Sequence, residues 1–406
     1  MSGAGRRPLH DAYAVCPPGV EQLGAAELRR LGVRAVKAER GGVSFRCTTR
    51  QLYAANLWSR LATRVVVRAA AFEATTFAGL ETAVRNEVDL DPWLGGRAPR
   101  LRVSASRSAL YHTEAIAERL RAVWGEPDEE PVADGRRSDP VGDGADDDVD
   151  EPADDGIGGP PLVIVRAVRN RFTVSVDCSG TPLYKRGWRQ AVARAPLREN
   201  LAAAMVASAE AAGWTAAQPL VDPFCGSGTI AIEAALSAIG RPPGFRRGFA
   251  FFEWPTFEPG TWASVIGQAV EAERAPEDVV IVGSDRDAGA VAAATANAER
   301  AEVADIVRFE QRPVSELGRP APAGGHPDGP GWVLTNPPYG ARIDHGGDLR
   351  NLHGRFGAVA RERLPGWSVG MLVADRRLAA HTGLSLHDVL QCSNGGIDVT
   401  LLVARV

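Results

Sequence analysis

The chain has 406 residues, of which 45% are hydrophobic and 24% charged, a composition typical of a soluble globular protein with two or three domains. It contains no apolar run of the roughly 20 residues that span a bilayer and no apolar signal segment behind residues 1–7. Its five cysteines are scattered without a CxxC pair, which argues against a disulfide framework and a structural zinc. We therefore expect a cytoplasmic monomer that binds neither membrane nor metal.

One acidic segment dominates the charge of the chain. Residues 126–155 hold 14 acidic side chains and two arginines, a net charge of −12, whereas the whole chain carries −4, so the remainder carries +8. Residues 126–160 contain almost no large apolar side chain, so burial cannot offset the entropy of ordering them. We predict a disordered insertion there. The basic remainder is typical of a polyanion-binding protein, although a mild and dispersed excess of arginine would give the same total.

The first half of the chain alternates short strands and helices. The pattern predicts strands at 11–16, 64–71 and 101–106, a hairpin at 36–46, and helices at 20–31, 50–61, 78–86 and 113–124. After the acidic segment, strands at 162–168 and 172–178 are joined by a tight turn at Arg169 and Asn170. Because the strand pattern resumes there, we place the insertion inside a domain.

From residue 197 the pattern changes to that of a parallel sheet. An Ala-rich helix is predicted at 197–212, with Pro196 at its first turn. Apolar strand-like segments then alternate with helices, at 219–222, 279–285, 306–310, 332–335 and 368–374, which predicts a doubly wound sheet. Segments 387–392 and 397–403 flank a strong turn signal and predict a terminal antiparallel hairpin. This is the α/β, Rossmann-like architecture of class I methyltransferases.

The first of three chemical motifs follows the strand at 219–222 and opens a helix. Gly226 and Gly228 allow a tight turn and a close approach to a ligand, and Asp222 could hold a cationic or amine-bearing group. A dinucleotide site would have three glycines and no carboxylate beside the phosphate. S-adenosylmethionine has an ammonium group and no phosphate, so it fits better, and an ordinary structural turn is the alternative. The candidate cofactor residues are Asp222, Pro223, Cys225, Gly226, Gly228 and Thr229.

The second motif closes the strand at 279–285. A carboxylate at this strand end is suited to binding ribose hydroxyls, and Asp285 is the candidate. The alternative role is a helix N-cap for the helix at 288–300. Both roles could be filled at once if Asp285 binds the ligand and Asp287 lies at the helix start.

The third motif, after the strand at 332–335, is the most specific. An amine conjugated to an aromatic base is a poor nucleophile, because its lone pair is delocalised. The Asn336 side-chain oxygen and the Pro337 carbonyl could accept hydrogen bonds from it, and Pro337 and Pro338 stiffen the loop. Tyr339 could stack on an extruded base. We therefore predict that Asn336, Pro337, Pro338 and Tyr339 form the catalytic loop, with Asn336 also beside the cofactor.

With these motifs, the chain resembles the THUMP-domain RNA methyltransferases, and among them the bacterial 23S rRNA guanine-N2 methyltransferases. The 222–229 and 336–340 motifs are shared with DNA adenine-N6 methyltransferases, so the substrate class depends on the other segments. Those that carry the resemblance are 41–45, 57–64, 183–189, 195–204, 243–247 and 251–254.

The resemblance implies a domain order and a set of ligands. It implies a ferredoxin-like segment at 1–70, a THUMP RNA-binding domain at 71–185, and a methyltransferase domain at 190–406. S-adenosyl-L-methionine is the implied cofactor, with Pro196 against its methionine part, and structured RNA is the implied partner. The candidate phosphate contacts, for which solvated strand edges are the alternative, are Arg102, Arg107, Arg166, Arg169, Arg171 and Lys185.

Two departures from the resemblance qualify these expectations. Some relatives carry a second methyltransferase after the first, whereas this sequence stops after the predicted hairpin, so one activity is expected. Pro313 stands where relatives have an acidic residue toward the adenine, so backbone groups would have to serve there. The expected reaction is methylation of a guanine amine in 23S rRNA. The alternatives are a tRNA guanine-N2 enzyme, a DNA adenine-N6 enzyme and a non-catalytic RNA-binding assembly factor.

Overall fold

The computed structural model describes residues 9–127, 158–190, 197–275, 279–320, 329–338 and 349–406. Most of the predicted acidic insertion lies outside the described residues, as do Pro196 and Tyr339. The chain forms two compact units. The first comprises Met1–Cys16, Gly24–Leu183 and Arg247–Val265, and the second comprises Pro17–Leu23, Tyr184–Arg246 and Ile266–Val406.

The first half of the chain contains seven strands and five helices within the described residues. In chain order they are β1 (His10–Val15), α1 (Glu21–Arg30), β2 (Ala35–Glu39), β3 (Gly42–Cys47), α2 (Thr49–Trp58), β4 (Arg64–Glu73), α3 (Phe77–Glu87), α4 (Asp91–Leu94), β5 (Arg100–Ser106), α5 (Thr113–Trp124), β6 (Leu162–Val168) and β7 (Arg171–Asp177). The strands and helices predicted for this half are confirmed, apart from the short α4, which was not predicted.

These seven strands form one sheet in the order β2-β3-β1-β4-β7-β6-β5, antiparallel except for the β5–β6 pair. Strands β1–β4 with α1 and α2 have the βαββαβ order of a ferredoxin-like fold, and β7 extends this sheet from β4. The expected domain boundary at residue 70 falls inside β4, where the pairing with β7 shifts register between Arg68 and Ala70. The division of 1–185 into two domains stays a prediction.

The segment 247–265 belongs to the first unit, although sequence analysis placed it in the methyltransferase domain. The Phe251 ring stacks on Tyr53 of α2 with centroids 4.4 Å apart, and Phe249 stacks on Phe251 at 5.1 Å. The backbone N–H of Glu258 donates to the Tyr53 hydroxyl at 3.0 Å. A truncated protein without residues 1–180 would therefore lose Tyr53 from this aromatic cluster.

The second half of the chain builds the other sheet. In chain order its elements are α6 (Glu199–Ala211), β8 (Leu220–Asp222), α7 (Thr229–Ala238), α8 (Pro259–Ala272), β9 (Ile281–Asp285), α9 (Ala288–Arg300), β10 (Val307–Gln311), β11 (Trp332–Thr335), α10 (Leu349–Arg363), β12 (Ser368–Val373), α11 (Arg376–Ala380), β13 (His387–Asn394) and β14 (Ile397–Arg405).

The strand order of this sheet is β10-β9-β8-β11-β12-β14-β13. The first five strands are parallel, and β14 and β13 close the sheet as an antiparallel hairpin. The predicted doubly wound sheet with a terminal hairpin is confirmed. One face packs on a buried cluster that includes Phe356, Trp367 and Met371. Across the described ranges, no helix is both long and apolar enough to cross a membrane.

Candidate active site

The three sequence motifs meet at the carboxyl edge of the parallel sheet. Strand β8 lies between β9 and β11, and all three run in the same direction, so their ends are neighbours. The backbone N–H of Gly226 donates to Asp285 Oδ2 at 3.1 Å. The Thr335 hydroxyl donates to Asp222 Oδ1 at 2.6 Å. The first motif is thus hydrogen-bonded to both of the others.

Asp222 is a buried carboxyl group with a fixed orientation. Its side chain also accepts the backbone N–H of Phe224 at 3.2 Å, and only 1% of the residue is exposed. The pKa of Asp222 is raised to about 7, chiefly by burial and to a smaller extent by the charge of Asp285, against the opposing effect of the Thr335 and Phe224 hydrogen bonds. A cationic group beside Asp222 would favour its ionised form and reverse that shift.

The loop 225–229 is shaped by two glycines in the left-handed region. Gly226 has φ +52° and Gly228 φ +84°, and Gly228 N–H donates to the Cys225 carbonyl at 2.8 Å. Cys225 itself is buried, and burial raises the pKa of its thiol. Pro223 and Thr229 are buried at the two ends of the loop. The candidate residues of the first motif thus lie together around one tight turn.

The Phe309 ring supports this loop from β10, a role that sequence analysis missed. A Cβ on Gly228 would lie 2.7 Å from the ring, and a Cβ on Gly283 in β9 would lie 2.4 Å from it. Such distances are too short for real contacts, so both positions are confined to glycine by one aromatic side chain. The available sequence signal was a glycine inside an apolar strand.

A buried asparagine on α9 holds the same loop. Asn297 is fully buried, and its amide donates to the Ser227 carbonyl at 3.0 Å. Arg300 donates to the Asn297 side-chain oxygen and to the Trp188 carbonyl at 2.9 Å. Sequence analysis did not single out Asn297. Its one signal is a polar residue among the alanines of a predicted helix.

Asp285 and Asp287 divide two tasks at the end of β9. Asp287 caps α9 by accepting the Gly289 N–H at 2.7 Å. Asp285 accepts from Gly226, as above, and from the backbone N–H of Asp287 at 3.0 Å. Asp285 therefore does not cap α9, and it lies beside the glycine loop.

The third motif contains a hydrogen-bond acceptor, the side chain of Asn336, for which the described residues provide no donor. The Asn336 side-chain oxygen is buried, and no described group donates a hydrogen bond to it. Pro337 is buried and Pro338 half-buried. A buried polar atom without a partner is costly, so a hydrogen bond from a ligand or another unseen donor is expected at this oxygen. After β10, Pro313 precedes a single helical turn at Val314–Glu316. That backbone groups near Pro313 contact the adenine of the cofactor stays a prediction.

Five of the six candidate phosphate contacts lie together in the first unit. Arg102, Arg166 and Arg171 lie on one face of the sheet. Arg102 is two residues before Ser104, which pairs with Arg166, and Val168, two residues after Arg166, pairs with Arg171. Arg107 follows β5, and the Arg169 N–H donates to the Ser106 carbonyl at 3.1 Å. Lys185 belongs to the second unit. No group of three or more metal-ligating side chains occurs in the described segments.

Known proteins are similar to this chain along most of its length. Residues 186–402 match the RMKL-like methyltransferase domain, and residues 11–66 match the RlmL ferredoxin-like domain. A Synechocystis protein named "Putative RNA methyltransferase" is 31% identical over 96% of this chain and 95% of its own. The ribosomal RNA large subunit methyltransferase K/L of Syntrophotalea carbinolica is 33% identical, and this chain spans 53% of its length.

A solved structure agrees in fold over its full length. The crystal structure of "a putative methyltransferase complexed with SAH" covers 98% of each chain with a TM-score of 0.79 and 26% identity. The fold and the three loops at its sheet edge define a class I methyltransferase. The chain belongs to the RMKL-like methyltransferase family.

Gly283→Ala should destabilise the protein, because the added methyl group would overlap the Phe309 ring and overpacking costs about 1–3 kcal/mol. If that contact is the cause, the double variant with Phe309→Leu should lose less than the sum of the two single losses. Denaturant unfolding measures all three. Gly267→Ala, at an open position of α8, is the control and should be neutral or stabilising. Additive losses in the double variant would contradict the Phe309 contact.

Proposed function

We propose that the protein transfers a methyl group from S-adenosyl-L-methionine to the exocyclic N2 amine of a guanine in RNA, with 23S rRNA as the substrate. The observation that carries this proposal is the buried side-chain oxygen of Asn336, to which none of the described groups donates a hydrogen bond. Asn336 directly follows Thr335, whose hydroxyl donates to Asp222 at the end of β8, just before the glycine loop. An acceptor for an amine thus lies beside a site suited to a cationic cofactor.

Two carboxylates and two glycines favour S-adenosyl-L-methionine as the cofactor. Asp285 is positioned for ribose hydroxyls, and Asp222 for the ammonium group. The left-handed turn at Gly226 and Gly228 allows close approach of the backbone. The related methyltransferase structure holds S-adenosylhomocysteine. When bound, the cofactor supplies an activated methyl group on a positive sulfonium, so no strong general base is required of the protein.

The catalytic task of this chain is to make the amine nucleophilic and to orient it. The Asn336 oxygen and the Pro337 carbonyl accept the two amine hydrogens, which draws the nitrogen from planar toward tetrahedral geometry. Proline at 337 and 338 restricts the loop, so these acceptors need little reorganisation during reaction. The amine loses a proton to solvent after transfer. Tyr339 is assigned to stacking on the extruded base.

RNA as the substrate is supported by the first unit and by the relatives. The relatives that span this chain are named as methyltransferases of RNA and of the large ribosomal subunit. The first unit carries Arg102, Arg166 and Arg171 on one face of β5–β7, and Arg107 and Arg169 follow β5 and β6 at one end of these strands. We assign this part of the chain to RNA binding, as a THUMP domain, and the RNA phosphates to these arginines.

Cofactor affinity should depend on pH through Asp222. The free protein holds a proton on this carboxyl up to about pH 7, and the ammonium group of the ligand favours the ionised form, so binding releases the proton. Affinity for S-adenosylhomocysteine should therefore rise about tenfold from pH 6 to pH 8. Calorimetry should show Asp222→Ala binding at least tenfold more weakly, and the matched Asp222→Asn should lose the pH dependence. A variant as pH-dependent as the wild type would contradict this role.

The same pKa shift has an opposite consequence for the unliganded fold. The folded protein keeps a proton that the unfolded chain releases above its ordinary pKa of 3.8. The contribution of Asp222 to stability is therefore present at low pH and falls as pH rises toward 7.

Asn336→Ala should lower the single-turnover rate of methyl transfer roughly 10²–10³-fold, the usual effect of removing one preorganised polar group. Affinity for cofactor and RNA should change little, because Asn336 acts on the amine as it becomes a nucleophile. Asn351→Ala, an exposed asparagine on α10, is the control. Rapid-quench assays at saturating RNA give the rate. An unchanged rate in Asn336→Ala would show that this loop is not catalytic.

A further inference from the structure

Two loops at one end of the first sheet carry an unusual backbone. Among the described non-glycine residues, four have a left-handed φ, and three of them lie here: Arg107 (+52°), Arg169 (+51°) and Asn170 (+68°). This region is unfavourable for arginine, since its Cβ crowds the following carbonyl. Strained backbone of this kind persists where the surroundings over-determine it, and it is concentrated at binding sites.

Hydrogen bonds hold the two loops together. The Asn170 side-chain oxygen accepts the Ala109 N–H at 2.7 Å, and the Ser108 hydroxyl accepts the Asn170 N–H at 3.0 Å. With the bond from Arg169 to Ser106, the loop after β5 and the β6–β7 turn form one unit. The backbones of Arg107 and Arg169 are thus fixed close to each other, and both residues are exposed.

An exposed aromatic pair follows Arg107 in the same loop, between β5 and α5. Tyr111 is 64% exposed, more than any other large hydrophobic residue among those described. Its ring lies against His112, with centroids 4.1 Å apart and planes at 39°. An exposed aromatic ring in a loop that also carries arginine is the composition of sites that stack a nucleobase and contact the adjoining phosphates.

The two loops, residues 107–112 and 169–170, contain arginine and histidine and no acidic side chain. Arg107, Arg169 and Arg171 are exposed, and the nearest acidic residue on α5, Glu114, is paired with Arg121 at 2.7 Å. Glu73 lies opposite Arg171 in the strand register.

We propose that Tyr111 and His112, with Arg107 and Arg169, form a binding site for an unpaired nucleotide of the RNA substrate. The inference rests on the proposed function. Tyr111 stacks on the base, and the two arginines contact the flanking phosphates. The site selects single-stranded RNA, because bases inside a duplex are stacked on each other and present no free face to a side chain.

The test compares two RNA hairpins with the same stem, one blunt and one with a short unpaired 3′ extension that contains 2-aminopurine. The full-length Tyr111→Ala protein should bind the extended hairpin roughly 5- to 150-fold more weakly and the blunt hairpin as the wild type does. Wild-type protein should quench the 2-aminopurine fluorescence by stacking, and Tyr111→Ala should not. Tyr111→Phe keeps the ring and should retain both properties.

A second variant separates the arginine side chain from the backbone that presents it. Arg107→Gly keeps the left-handed turn without strain, so its melting temperature should rise while its affinity for the extended hairpin falls. If Arg107 had only a structural role, the Arg107→Gly protein would have a lower melting temperature than the wild type.

Each outcome decides a different point. Equal losses on both hairpins, or no loss in Tyr111→Ala, would overturn the unpaired-nucleotide site and leave the proposed RNA substrate standing. Wild-type protein that binds neither hairpin, yet binds S-adenosylhomocysteine, would overturn the RNA substrate as well.

Discussion

The hydrogen bond from Thr335 to Asp222 is the interaction on which the catalytic edge depends. It joins the ends of two neighbouring parallel strands at 2.6 Å, in a fully buried setting. Pro223 follows one partner and Asn336 follows the other, so the bond sets the distance between the loop that we propose to hold the methyl donor and the Asn336 oxygen that we propose to accept the amine. Such placement matters because a displacement of about 1 Å at a reacting centre can cost roughly 100-fold in rate.

The remaining contacts of the site make this edge rigid before any ligand arrives. Asp285 is tied to the glycine loop through Gly226, Asn297 holds the Ser227 carbonyl, and Phe309 fills the space beneath two glycines. Each contact comes from a different strand or helix. The loop is therefore preorganised by tertiary structure, which is the arrangement expected where electrostatic positioning carries catalysis.

Much of this architecture could be predicted from local patterns. The alternation of apolar segments and helices, the glycine turn after β8 and the glycine pair between β13 and β14 are all short-range signals, and each predicted element is present. Phe309, Asn297 and the Tyr53–Phe251 stack could not be predicted. Each depends on a contact between residues far apart in the chain, and no local spacing encodes such a contact.

The same distinction applies to the arginines of the first unit. Composition indicated a basic chain outside the acidic segment, but the strand register brings Arg102, Arg166 and Arg171 onto one face, and the left-handed turns place Arg107 and Arg169 at its end. Sequence analysis grouped these residues by type and by resemblance. Their common location follows from β5 and β6 pairing in parallel across the acidic segment, a pairing of residues more than 50 positions apart.

Identification of the methylated nucleoside decides whether the protein methylates guanine N2 in 23S rRNA. The purified protein would be incubated with S-adenosylmethionine that carries a deuterated methyl group and with unmodified transcripts of 23S rRNA and tRNA, and the digested nucleosides would be analysed by mass spectrometry. We expect deuterated N2-methylguanosine from the 23S transcript, formed far more slowly with Asn336→Ala. Label in N6-methyladenosine, or label in neither RNA, would contradict it.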